Sequence, residues 1–158
     1  MTATVRNARS LATALAALVA VTALAPSVHA ADAAPTAPTS VSASTREQAI
    51  FAVSDADPQK WALTLGNINN AIDGLGADHA DIDLVVYGPG IAMLKKDSAV
   101  ADKLAAALAR GVRIAACQNS MRGYGLADAD LVKGATPVPS GVVELIRRQH
   151  AGYAYVRS

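Results

Sequence analysis

Hydrophobic and polar positions change rhythm several times along the chain, and each change marks an element. Residues 48–53 (Gln-Ala-Ile-Phe-Ala-Val) form a short apolar run that fits a buried strand. Ser54, Asp55 and Asp57 interrupt it just before Pro58, which suits a helix cap followed by proline in the first turn. From 58 to 73 the apolar residues Trp61, Leu65, Ile68 and Ile72 recur at steps of four, three and four, the spacing of one helical face, and Gly74 is expected to end that helix. Residues 81–87 (Asp-Ile-Asp-Leu-Val-Val-Tyr) read as a second strand, closed by a sharp turn at Gly88-Pro89-Gly90.

The alternation continues. Residues 98–110 predict a helix with Val100, Leu104, Ala107 and Leu108 inward and Gly111 as its stop. Residues 112–116 predict a third strand that runs straight into Cys117-Gln118-Asn119-Ser120-Met121. The glycine-punctuated stretch that follows is expected to hold only short helical turns near 126–131. A short strand at 136–138 leads to a helix capped by Ser140 and ending at His150, with Val142, Leu145 and Ile146 inward; Gly152 stops it before a last strand at 153–156. Strands that alternate with helices need crossover connections, so the class is α/β: a three-layer α/β/α sandwich around a mainly parallel sheet.

The first 45 residues follow another logic. Arg6 and Arg9 precede an uncharged, alanine-rich stretch at 11–25, then Pro26 and the small-x-small sequence Val28-His29-Ala30, the layout of a secretory signal peptide cut after Ala30. The apolar run is short for a membrane anchor, which needs roughly 20 residues. No cysteine follows the cut to take a lipid. The expected product is periplasmic or secreted and is not held at a membrane. Residues 31–45, rich in Ala, Pro, Thr and Ser, read as a flexible tether, which leaves one domain at 46–158.

Charge narrows the function. The formal charge is +1, and losing Arg6 and Arg9 with the leader brings the mature chain near −1, so no basic field attracts nucleic acid. The mature part holds only His79 and His150, without metal-ligand spacing, so neither a metal nor a cofactor is expected. No GxSxG elbow, P-loop or GxGxxG follows a strand. Asp55, Asp57, Asp81 and Asp83 flank element ends, where carboxylates are usually caps or solvated.

The single cysteine changes the picture most. A lone Cys117 cannot form an internal disulfide, so the thiol is either buried or chemically used. At the end of a strand and the start of a helical turn it faces backbone N–H groups that favour the thiolate, the form that attacks sulfur. The same position suits an inert cysteine packed as a small hydrophobe, and the residues alone leave both readings open. Ligands of open parallel sheets collect beyond the carboxyl ends of the strands, an edge shared here by Ser54, residues 87–90 and residues 117–120. Candidate binding residues are Asn119 and Ser120 as orienting donors or turn caps, Gly88 and Gly90 as backbone donors, and Asn70, one turn from Asn67 on the first helix.

Several segments together resemble the DsrE/DsrF-like family. They are Trp61 with Asn67-Ile68-Asn69-Asn70; Val85-Val86-Tyr87-Gly88-Pro89-Gly90-Ile91 with Leu94; Gly111-Val112 leading to Ala116-Cys117-Gln118-Asn119-Ser120-Met121; and Pro139-Ser140-Gly141-Val142-Val143-Glu144-Leu145 with Gln149-His150-Ala151-Gly152-Tyr153-Ala154-Tyr155. The resemblance covers nearly all of 48–158. It implies a parallel five-stranded sheet, homo-oligomers (trimers or hexamers), and a cysteine that carries persulfide sulfur between donor and acceptor proteins, a role only Cys117 can take. Two departures stand out: the sulfur-relay members act in the cytoplasm whereas this chain carries an export signal, and Tyr87 stands where many relatives are expected to have histidine. A non-catalytic oligomeric or small-ligand-binding module with a structural cysteine is the alternative.

Overall fold

The computed structural model describes residues 46–158; the expected leader (1–30) and the expected tether (31–45) lie outside the described residues. Five strands, β1 (Glu47–Val53), β2 (Ala80–Val86), β3 (Arg113–Cys117), β4 (Ala135–Val138) and β5 (Ala154–Val156), form one all-parallel sheet in the order β4-β3-β2-β1-β5. Four helices alternate with them: α1 (Pro58–Leu75), α2 (Ala101–Ala109), α3 (Gln118–Gly123) and α4 (Gly141–His150). This is the α/β architecture that the alternation of periods implied.

The strand order decides how the two faces are covered. From β1 to β4 each strand steps to the same side, and right-handed crossovers of one direction keep their helices on one face. The connection from β4 to β5 returns across the whole sheet, so the same handedness puts α4 on the opposite face. The cores follow this division. Phe51, Val53, Ile82, Leu84, Val86, Ile114 and Ala116 pack with α1 and α2 residues in the larger cluster. Ile50 and Val85 meet Leu145 and Tyr153 in the smaller one. One ten-residue helix therefore serves a face of a five-stranded sheet.

Local expectations fared unevenly. In α1, Trp61, Leu65, Ile68 and Ile72 are all buried, and Asp57 caps the helix by accepting the Gln59 N–H at 2.8 Å. The helix passes through Gly74, which has open space around it, and ends at Gly76, whose φ of 88° lies in the left-handed region that glycine tolerates. Helix α2 is shorter than expected, because Ser98 and Val100 form a turn that leads into it. The stretch after Cys117 holds a true helix, α3, in addition to a short 3-10 turn at Asp128–Asp130. Gly88 to Leu94 is likewise a 3-10 helix and not a bare turn.

The largest correction concerns α4. Only Leu145 of the three expected inward residues is buried; Val142 and Ile146 are about half exposed, and Val143 is exposed with them. A helix lying alone on a sheet needs a narrower apolar stripe than one packed also against neighbouring helices. Ser140 precedes α4 but makes no side-chain capping bond.

Candidate functional site at the end of β3

Cys117 closes β3 and stands at the N-terminal cap of α3, with extended backbone (φ −69°, ψ 112°). The pleat alternates side chains, so Arg113, Ala115 and Cys117 face α4 while Ile114 and Ala116 enter the larger core. Cys117 pairs with Val138 on one side. On the other, the register that matches Val86 with Ala116 brings Tyr87 next to it. Above lies the first residue of α4. A Cβ built on Gly141 would sit 2.9 Å from Tyr87 Cβ and 3.3 Å from Cys117 Cβ, so only glycine lets the helix start this close.

That approach shapes the electrostatics of the thiol. Burial pushes the Cys117 thiol up, but the nearby Ser120 hydroxyl and the backbone N–H groups of Gly141, Ser120 and Asn119 favour the thiolate and outweigh burial, so its pKa lies below the ordinary value. Ser120 does this with support. Its Oγ accepts the Gly88 N–H at 2.7 Å, which leaves the hydroxyl hydrogen for the sulfur. The thiol is also well covered, with Cys117 only 5% exposed. Ser120→Ala removes the side-chain donor and orphans the Gly88 amide; the expected result is an alkylation pH profile for Cys117 shifted to higher pH, with the protein still folded by circular dichroism.

The other candidates divide clearly. The Asn119 side chain is exposed and takes a hydrogen bond from the Arg122 guanidinium, so this residue serves the sulfur through its backbone. The Gly88 N–H is spent on Ser120. The Gly90 N–H is spent on the Ser54 carbonyl at 3.0 Å, and a Cβ there would lie 2.8 Å from the Val53 carbonyl oxygen. These two glycines join the loops after β1, β2 and β3 and present no open pair of donors to an anion, the role expected of them. Asn70 is exposed on α1, whose length carries it roughly 18 Å along the axis from Pro58 toward the opposite edge of the sheet. Its neighbour Asn67 donates to Ser158 at 3.1 Å. The structure brings Ser120, Asn119 and Gly88 to the cysteine, and it does not bring Asn70.

Two features escaped the sequence. In the sequence Gly141 has no role beyond the family resemblance; the signal available was a glycine at the first helical turn, directly after Pro139-Ser140, where helix propensity favours almost any other residue. Asp81 and Asp83 were read as caps or solvated groups. They are instead part of an ionic cluster under α4, and Asp83 is buried at 4% exposure. Their signal was the charge at alternate positions of an otherwise apolar strand.

The comparisons with known proteins agree with this architecture. A model of the DsrE/DsrF-like family matches residues 47–157. Among solved structures, the protein of unknown function MTH1491 from Methanobacterium thermoautotrophicum superposes with a TM-score of 0.68 at 31% identity, covering 71% of this chain and 99% of its own. The ychN protein from E. coli superposes at 0.61 with 14% identity over the same shares, a likeness of fold alone. None of the functionally curated proteins matches the chain.

Proposed function

Because the chain belongs to the DsrE/DsrF-like family, we propose that it is an exported carrier of sulfane sulfur, held as a persulfide on Cys117. The observation that carries this reading is the place of Cys117 at the end of β3, with the first residue of α4 packed against it and polar hydrogens of Ser120, Gly141 and Asn119 near enough to hold its pKa below the ordinary value despite burial. The same donors that favour a thiolate favour a persulfide anion in its place. With thiosulfate as donor, the Cys117 sulfur uses its electron pair to bond the outer sulfur, the bond to the sulfonate sulfur breaks, and sulfite leaves with that pair. An acceptor thiolate then attacks the outer sulfur and restores the Cys117 thiolate, so two displacements move one sulfur atom with no net oxidation. Export rests on the leader sequence, and assembly into homo-oligomers on the family resemblance.

Incubation of the purified chain with thiosulfate or polysulfide, followed by intact mass measurement, is expected to show one added sulfur atom on wild type and none on Cys117→Ser. Absence of the adduct on wild type removes the reading. The low exposure of Cys117 favours a second one, a non-catalytic oligomeric or small-ligand-binding module in which the cysteine is packing. Native thiol labelling separates the two: the carrier reacts quickly at mildly acidic pH, and a structural cysteine reacts only after unfolding.

A further inference from the structure

A second cluster of chemistry lies under α4, away from the thiol cradle. Asp81 and Asp83 alternate with apolar residues on β2, so both project to the α4 side, where register sets Arg113 of β3 beside Asp83. Arg113 Nη2 lies 2.6 Å from Asp81 Oδ1, 2.6 Å from Asp83 Oδ1 and 2.7 Å from the Tyr153 hydroxyl. That nitrogen has two hydrogens for three oxygens. Asp83 Oδ1 is the one left, buried with no aligned donor among the described residues, on a side chain only 5% exposed. From α4, Arg148 Nε is shared between Asp83 Oδ2 at 2.9 Å and Glu144 Oε1 at 2.8 Å.

Each guanidinium is thus held mainly through one nitrogen. Among the described residues no hydrogen bond uses Arg113 Nε or Nη1, or Arg148 Nη2, while Arg148 Nη1 adds only a 3.5 Å contact to Tyr153. Beside them opens a cleft of about 240 Å³, lined by the charged Asp83, Arg113, Glu144 and Arg148 together with the apolar Leu108 and Val138. Three carboxylates against two guanidiniums leave one surplus negative charge, and the two arginines still present open edges. A simple anion would add to the surplus, and a simple cation would leave the arginine edges unused. A guest with both charges and a short apolar body answers every wall of the cleft.

We propose that this cleft binds a free α-amino acid with an apolar side chain, its carboxylate on the open edges of Arg113 and Arg148 and its ammonium toward Glu144 and the buried Asp83. The volume, worth roughly eight waters at ~30 Å³ each, suits a molecule of leucine's size. Of the residues around Cys117 only its strand partner Val138 lines the cleft, and Cys117, Ser120, Asn119 and Gly141 do not, so leucine binding and sulfur loading are read separately.

Isothermal titration of the purified chain with L-leucine, leucinamide and N-acetyl-leucine tests it. Leucine is expected to bind, and each analogue, lacking one charge, to bind about tenfold more weakly or worse. Thr136, exposed on β4 and lining the cleft, offers a way to fill it: Thr136→Phe is expected to abolish leucine binding while circular dichroism stays unchanged. Glu144→Gln removes the surplus charge and is expected to weaken leucine while narrowing its advantage over N-acetyl-leucine. Failure of leucine to bind at millimolar concentration, equal binding of N-acetyl-leucine by wild type, or full leucine binding by a folded Thr136→Phe each overturns the proposal.

Discussion

Gly141→Ala is expected to slow alkylation of Cys117 severalfold at neutral pH, to move its pH profile upward toward that of an ordinary thiol, and to cost ~1–3 kcal/mol of stability through overpacking. The added methyl would meet Tyr87 Cβ at 2.9 Å, Cys117 Cβ at 3.3 Å and Val85 Cγ1 at 3.3 Å. The two Cβ atoms are fixed to their backbones and cannot rotate away, so α4 itself has to move. Its movement carries the Gly141 N–H off the sulfur, where it opposes the burial that raises the thiol's pKa. The helix is free to yield because Leu145 is its only large buried side chain. Stopped-flow labelling across pH, paired with urea denaturation, reads both effects. Superimposable pH profiles for the variant and wild type would show that the helix amide does not act on the thiol.

Asp83→Ala is expected to destabilise the fold by ~3 kcal/mol in urea denaturation, the lower end for breaking a buried ion pair, because Arg113 keeps Asp81 and Arg148 keeps Glu144. The loss should grow on acidification. Burial raises the Asp83 pKa, and the charges of Arg113 and Arg148 only partly offset this, so the wild-type protein gains stability from Asp83 as the pH falls through that raised value toward 3.8. The variant lacks this gain. Asp81 works in the opposite direction: burial raises its pKa, but hydrogen bonds from Gln48, Tyr153 and Arg113 prevail and lower it, giving stability that is complete above 3.8 and lost on acidification below it. With Asp83 gone, Arg113 serves Asp81 alone and deepens that loss below 3.8, outside the window from pH 7 to 4 in which Asp83 acts. A penalty that shrinks as the pH drops from 7 to 4 would contradict this assignment of the two carboxylates.

The elements that could be read from the chain were those with strong local periods. Trp61, Leu65, Ile68 and Ile72 define α1 because a helix repeats its buried face every three to four residues, and any such segment declares itself without knowledge of its neighbours. The β2 run was equally plain, as was the placing of Cys117 at a strand end. Boundaries were weaker. Gly74 and Gly76 are both possible stops, and the choice depends on which one adopts positive φ against the following turn and strand.

Faces and proximity were harder still. Val142 and Ile146 keep a helical spacing with Leu145, yet α4 rests on the sheet through Leu145 and Gly141, because the β4-to-β5 return places it on the face opposite the other helices among the described residues. The composition of β2 likewise suggested solvated carboxylates, since nothing local shows that Arg113 and Arg148 lie above them.

By itself the order of apolar and polar residues determined the α/β class, the crossover topology and the strand end on which Cys117 sits, because each follows from a period of two or 3.6 and from the handedness of the backbone. The tertiary structure alone decided that Gly141 touches the thiol, that Ser120 relays the Gly88 amide to it, and that two arginines cover Asp83. Those are meetings of residues separated by 24 or more positions in the chain, or brought together by a packed helix end, and local sequence carries no term for them.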